Sequence, residues 1–300
     1  MDLVTPRLIP LVQLQVLTVS NLFDVDGLPH LLQALPQLHT LQLPDTVVKE
    51  QHLDDLMAAT QLTRLQLDSL QELSSSRADA ACSWQQLELT GSLNYTSITC
   101  LPLHALTQPL VVGRLEVSVY GVCPVVPAAV RNLALTCKAP IRFNRLLLDM
   151  SGSYEAGAAD AAATQQRRKL MGLARLLQVL QNCCVHMVSV RNLKDVTAAD
   201  IAALAPLCRD CIHLMFVCGS IKPSLKFWHQ LVLLMPTVQQ VTFHYCGAAT
   251  RGMHKSMQCM AEQPWARWLD ITIAQDASQL PACWKTDSLT EIGKFRVCIE

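Results

Sequence analysis

Apolar residues recur along the first third of this chain in one frame. An apolar residue is followed by two of any kind, a second apolar residue, one polar residue and a third apolar residue. Leu62, Leu65 and Leu67 set the frame out most plainly, in LTRLQLDSL (62–70). Alternation sends Leu65 and Leu67 to one side of an extended chain and Arg64, Gln66 and Asp68 to the other, as in a half-buried strand. The frame also begins at Leu38 (with Leu41 and Leu43) and at Leu14 (with Leu17 and Val19), so the starts at 14, 38 and 62 lie 24 residues apart. A fixed period of that size predicts a solenoid, in which each unit buries its apolar face against the next.

Nine further frames start at Trp84, Val112, Val130, Phe143, Val185, Ile212, Val238, Trp268 and Lys294. Between them the polar positions 3, 5 and 7 stay well below the 51% hydrophobic background of the chain, so the alternation is not an accident of composition. The intervening segments supply helices with apolar residues three and four apart. They are LPHLLQAL (28–35), QHLDDLMAAT (51–60), TQQRRKLMGLARLLQVLQN (164–182), TAADIAALAPLC (197–208), SLKFWHQLVLLM (224–235) and RGMHKSMQCMAEQ (251–263). Thr164, Thr197 and Ser224 stand where N-caps belong. From Val112 to Val130 and Phe143 the rhythm tightens, and Pro124, Pro127 and Pro140 predict extended or loop crossovers there. The small, polar run SGSYEAGAADAAA (151–163) predicts a flexible surface loop.

LHTLQL, LTRLQL and WQQLEL resemble the strand segment of leucine-rich repeats, and units of 24–30 residues resemble the ribonuclease-inhibitor-like branch of that family. The likeness spans most of the chain, leaving out 151–163 and fading over 118–145. The family's Asn or Cys at position 9 is met by Cys246, whereas Leu22, Leu70 and Leu193 depart from it. The resemblance implies an α/β horseshoe of about twelve irregular repeats, with a parallel sheet on the concave side and helices or loops on the convex side. Residues 1–150 would hold irregular repeats, 151–163 a loop insertion, and 164–300 longer strand–helix repeats continuous with the first half.

Positions 3, 5 and 7 would then line the concave surface, the usual place for a partner. They include Arg64, Asp68, Glu88, Arg114, Glu116, Arg145, Asp149 and Arg191, followed by an apolar stretch of Met187, Leu214, Phe216 and Cys218. The charges make a polar protein-binding strip in which Arg is the best anchor, or they pair with one another and keep the face wetted. Exposure of Phe216 would mark a contact site; a local slip of the frame, or a loop folded over it, would bury it. The chain finishes on KFRVCIE, a strand with no polar capping unit. That points to missing flanking repeats or to edge-to-edge self-association.

Composition narrows the function classes. Lys+Arg (24) balance Asp+Glu (24), and without a dense basic face neither nucleic acid nor a membrane surface is an expected partner. MDLVTPRLIPLVQL lacks the basic start and unbroken apolar core of a signal peptide. The uncharged stretch 228–250 carries His229, Gln230, Gln239, Gln240 and His244, too many polar groups for a membrane span. Thirteen cysteines without framework spacing fit reduced thiols in the cytoplasm.

Two cysteine groupings carry candidate chemistry. Cys208 and Cys211 form a CxxC, and Cys183 and Cys184 precede it, with His186 and His213 nearby. Cys184 and Cys211 each fall just before a strand, close enough for a disulfide or for two zinc ligands. Buried free thiols are the ordinary alternative. Cys218 and His244 share position 7 of adjacent strands, a thiol–imidazole pair with no acid at the matching place, where Ala274 stands. Arg167, Arg168 and Lys169 make a solvated helix face, and no phosphate loop, nucleotide fingerprint or HExxH is present. The expected protein is non-catalytic and needs no cofactor. It binds another protein, as leucine-rich repeats do in ubiquitin-ligase adaptors and in cytoskeletal or ciliary axoneme assemblies. The rival is a thiol or metal protein built on Cys183, Cys184, Cys208 and Cys211.

Overall fold

The structure, a computed structural model, describes residues 11–20, 27–70, 76–94, 98, 100–118, 133, 137–150, 172–174, 176–177, 180, 183–193, 196–221, 223–264, 267–274, 280–284 and 289–299. It divides into two compact units, Met1–Glu116 with Ala128–Asn144 and Val117–Pro127 with Arg145–Glu300.

In the first unit the 24-residue period becomes a ladder of parallel strands, β1 (Val16–Thr18), β2 (Thr40–Val48), β3 (Arg64–Leu70), β4 (Gln86–Asn94) and β5 (Leu110–Ser118, in this unit to Glu116). Leu41 sits opposite Leu65 and Leu65 opposite Leu87, so each frame stacks on the next. These leucines, with Leu38, Leu62 and Trp84 at the strand entries, are buried. Helices α1 (Leu28–Ala34) and α2 (Glu50–Ala58) fill two of the connections and bury Leu31, Leu32, Leu53 and Leu56. One carbonyl per step receives two N–H groups from the following coil. Gln15 accepts from His39 and Thr40, His39 from Thr63 and Arg64, Thr63 from Gln85 and Gln86, and Gln85 from Thr107 and Gln108. That series moves one entry corner: β5 is entered at buried Leu106, not at Val112. The frame missed it because β4 and β5 are long and bulged, Leu89 facing Val112 but Ser92 facing Arg114.

Arg77 ties a connection to α2. Its guanidinium holds Asp54 through two bonds, of 2.5 and 2.9 Å, and Glu50 through one of 2.7 Å. The hydrogen bond from Arg77 keeps the Asp54 carboxyl below the usual carboxylate range. A depressed folded pKa adds stability that is present above the unfolded value and is lost as pH falls through the folded one. The Asp54 side chain is 55% exposed, so the effect is about 1 kcal/mol or less. Arg77→Gln should therefore lower stability at neutral pH and flatten its decline below about pH 4, as read from denaturant unfolding at stepped pH.

The second unit takes the rest of β6 (Ile141–Asp149, here from Arg145), then β7 (Cys184–Arg191), α3 (Ala198–Leu204), β8 (His213–Val217), α4 (Leu225–Leu234), β9 (Gln240–His244), α5 (Arg251–Ala261), β10 (Leu269–Ala274), β11 (Leu289–Ile292) and β12 (Phe295–Ile299). The caps predicted at Thr197 and Ser224 form. Asp200 accepts from the Thr197 backbone N–H at 2.7 Å and its hydroxyl at 2.9 Å, and Ser224 accepts from the Phe227 N–H. Thr250 caps α5 in the same way. The half-buried Arg267 guanidinium gathers carbonyls that α4 leaves behind at its C-terminal turn, those of Met235, Pro236 and Val238. Inside, Phe216 stacks on Phe243 at 5.6 Å, and Trp228 meets Phe227, Phe243 and Phe295 at 5.1–6.1 Å between ring centres.

Among the described residues four outside glycine take positive φ, Asp45, Asn192, Cys218 and Tyr245, at 51–59°. Each stands seven residues beyond a buried strand-entry residue (Leu38, Val185, Cys211 and Val238). Asn192, Cys218 and Tyr245 directly follow their strands and turn the chain off them, whereas Asp45 sits at the register shift inside β2.

Among the described residues β1 to β5 pair in order and in parallel within the first unit, and in the second the order runs β7 through β10, then β12, then β11, parallel except for β11. β12 lies between β10 and antiparallel β11 and is not the bare edge that KFRVCIE implied. Other expectations meet few described residues. At the Val130 frame, Leu133 is helical rather than extended, and Val130 and Leu135 lie outside the described residues. So do 151–163, Thr164 and Arg167–Lys169, while Leu173, Leu176 and Leu180 are helical and buried as the stripe predicts. Among the described residues no helix is long and apolar enough to cross a membrane.

Candidate functional site

Each strand has a face turned from the core, and the predicted binding residues divide between the two units. In the first, Arg64 is exposed beside Thr40 and Gln86, and half-buried Glu88 faces Gln66 on one side. On the other side Glu88 faces Val111, not Arg114 or Glu116, because of the register shift between β4 and β5. Asp68 accepts from the Thr90 hydroxyl at 3.4 Å. Arg114 lies at the middle of β5 and pairs with Glu116 along its own strand at 3.0 Å. Gly113 permits the close approach there, since a Cβ would stand 1.9 Å from the Thr90 carbonyl oxygen. Arg64, Glu88 and Arg114 thus do not form the row that equal frames imply. Arg114 and Glu116 do pair with each other, an exchange worth about 0–1 kcal/mol at a partly exposed site.

In the second unit the outward face is more tightly knit. Arg145 reaches across β7, placing Nη2 3.4 Å from Ser189 Oγ and 3.6 Å from Met215 Sδ. His213 Nε2 and Thr242 Oγ1 lie 2.9 Å apart. Burial, and after it the Arg145 charge, holds the His213 pKa below the ordinary imidazole value, which favours the neutral ring. Asp149 accepts from Asn192 Nδ2 at 2.9 Å, and half-buried Arg191 lies opposite Val217. The result is a face of half-buried guanidinium, imidazole and carboxylate groups on the strands, steadied by the buried hydroxyls of Ser189 and Thr242.

Phe216 and Leu214 are corrected. Both are buried, paired in register with Phe243 and Val241, and Cys211 rather than Ile212 is the first apolar residue of that frame. Ile212 is 48% exposed. The slip puts His213, Met215 and Val217 outward, and these were missed together with Thr242 and Asn192. CIHLMF (211–216) fits the frame as well as IHLMFV does. The usable signal was Phe216 falling in line with Phe243 if the start is moved to Cys211.

The same slip separates the thiol–imidazole pair. Val217 stands opposite His244, and Cys218 follows the strand in its left-handed turn, exposed. Cys208 and Cys211 are buried with their thiols hydrogen-bonded to each other, and Cys183 and Cys184 are partly exposed. Among the described residues no three His, Cys, Asp or Glu side chains converge as a metal-binding group. Cys246, at position 9 of its frame, points its thiol at the Phe216 carbonyl of the preceding strand at 3.3 Å. Burial pushes that thiol up to about 11, so it stays protonated to donate.

No protein-family model matches this chain, and no curated protein matches it either.

Proposed function

We propose that this chain is a leucine-rich-repeat solenoid of about twelve irregular coils. It acts as a non-catalytic scaffold that holds a partner protein on the sheet face turned from its helices. The family reading draws support from the one-carbonyl, two-amide steps of the first unit, the left-handed residue that recurs seven places beyond the strand entry, and Cys246 at position 9. The binding reading rests on one observation above the others: the sheet face of the second unit carries the half-buried Arg145 and His213, each held in place by a buried hydroxyl, Ser189 and Thr242, while Phe216, Phe227, Trp228 and Phe243 go to the core. Strand-borne side chains of this kind are held rigidly and lose little entropy on binding. The resemblance supplies the setting, a cytoplasmic complex of the ubiquitin-ligase-adaptor, cytoskeletal or ciliary kind.

The test compares captured partners for three forms of the protein. Arg145→Glu with Arg191→Glu alters the sheet face, and Lys226→Glu with Lys255→Glu alters exposed positions on α4 and α5. The proposal predicts that specific partners are lost with the first pair and kept with the second. Partners kept with the first pair and lost with the second would move binding to the helices; partners indifferent to both would remove this face from the account.

A further inference from the structure

Cys208 and Cys211 lie apart from the binding face, and the Cys211 thiol bonds to the backbone at the His213 carbonyl, at 3.1 Å. Cys208 ends the 3-10 turn Ala205–Cys208 that follows α3, and Cys211 opens the frame of β8. The Cys211 N–H bonds back to the Cys208 carbonyl at 3.2 Å, closing a four-residue turn around exposed Arg209 and Asp210. Such a turn keeps its end Cα atoms within about 7 Å, overlapping the span of about 4.4–6.8 Å that a disulfide bridges. Both thiols point inward, are fully buried and hydrogen-bond to each other. The next coil clamps the turn, Thr237 Oγ1 donating to the Cys208 and Arg209 carbonyls at 3.1 and 2.9 Å.

We propose that Cys208 and Cys211 are an oxidisable dithiol, closed by hydrogen peroxide into a disulfide within the turn. The two sulfurs have different parts. The Cys211 thiol donates to the His213 carbonyl and accepts from Cys208, a bond that lowers its pKa against the effect of burial, whereas Cys208 keeps its proton; release of the His213 contact frees the Cys211 thiolate. Cys211 is therefore the nucleophile. Its sulfur attacks one peroxide oxygen, the O–O bond breaks, and hydroxide leaves, giving a sulfenic acid at Cys211. Cys208 sulfur then attacks the Cys211 sulfur, an S–S bond forms, and the sulfenic oxygen departs as water with the Cys208 proton. In sum two thiols and one peroxide give one disulfide and two waters. Peroxide is small enough to enter on a local opening of the turn, whose two middle residues already face solvent. This proposal stands apart from the binding reading, since no residue of the sheet face takes part.

The test treats the reduced, folded full chain with excess hydrogen peroxide, alkylates the remaining thiols in denaturant, and maps the peptides. Trypsin cuts after Arg209 but not at Lys222, which precedes Pro223, so the bridge joins peptide 195–209 to peptide 210–226 with a mass about 2 Da below their sum, and fragmentation places it on Cys211 rather than Cys218. The proposal predicts that joined pair. It also predicts a dimedone-trapped sulfenic acid at Cys211 in Cys208→Ser, and an unmodified Cys208 in Cys211→Ser. Circular dichroism shows whether each variant is folded, and the wild-type map decides the matter alone if one is not. Cys211 joined to Cys183, Cys184 or Cys218, or both thiols alkylated after treatment, would overturn it.

Discussion

Trp228→Ala should be the most damaging single truncation in the second unit, costing about 3–5 kcal/mol. The indole is fully buried and stands at the centre of a ring cluster, edge-on to Phe227 and Phe243 and 5.2 Å from Phe295. It thereby couples α4 to strands β9 and β12 at once. Its Nε1–H also donates to Ser256 Oγ at 3.0 Å, fixing α4 against α5. Truncation leaves a cavity among large, poorly compressible rings and removes that buried hydrogen bond. Trp228→Phe should recover more than half of the loss, because it refills most of the volume and forgoes only the N–H. Denaturant unfolding gives both numbers, and a loss under about 1 kcal/mol for the Ala variant would contradict the packing described.

Gly293→Ala should be nearly as harmful, at about 2–5 kcal/mol, from two separable causes. Gly293 has a φ of 60° in the two-residue turn joining β11 to β12, where a side chain costs about 1–2 kcal/mol. An added Cβ would also lie 2.3 Å from the Ala261 Cβ, at the end of α5, and overpacking adds about 1–3 kcal/mol. The two causes part in a double-mutant cycle with Ala261→Gly. Removing the opposing Cβ should return the packing share and leave the backbone share. Equal losses in both backgrounds would mean that the hairpin does not rest on α5.

The period of the chain was legible to the extent that each coil repeated its neighbour's geometry. From Leu38 to Trp84 the strand entries stay in register, β2 and β3 slipping only beyond Leu43, and the frame names the buried residues correctly. It failed at β5, a long strand that offers a second apolar frame at Val112 beyond its entry corner at Leu106 and shifts register against β4. It failed again at β8, where Cys211 and Ile212 are both apolar and a one-residue slip exchanges the faces. The site suffered more than the fold for that reason. A core leucine one place off is still a leucine, whereas a face residue one place off is inside. β11 left little trace, being a four-residue strand, LTEI, whose partner is made by a hairpin rather than by the period. The left-handed residues gave no sequence signal at all, since Asp, Asn, Cys and Tyr share the position.

The alternation of inner and outer residues carries both the fold and the proposed binding face, and β8 tests it most directly. Lysine placed singly at each of residues 213 to 217, with the unfolding free energy measured for each variant, should give a sawtooth. Leu214→Lys and Phe216→Lys should lose about 3 kcal/mol or more, through a buried, unpaired charge. His213→Lys, Met215→Lys and Val217→Lys should lose about 1 kcal/mol or less. A flat series, or the opposite phase with Met215→Lys and Val217→Lys as the damaging changes, would put Phe216 on the surface and end the account.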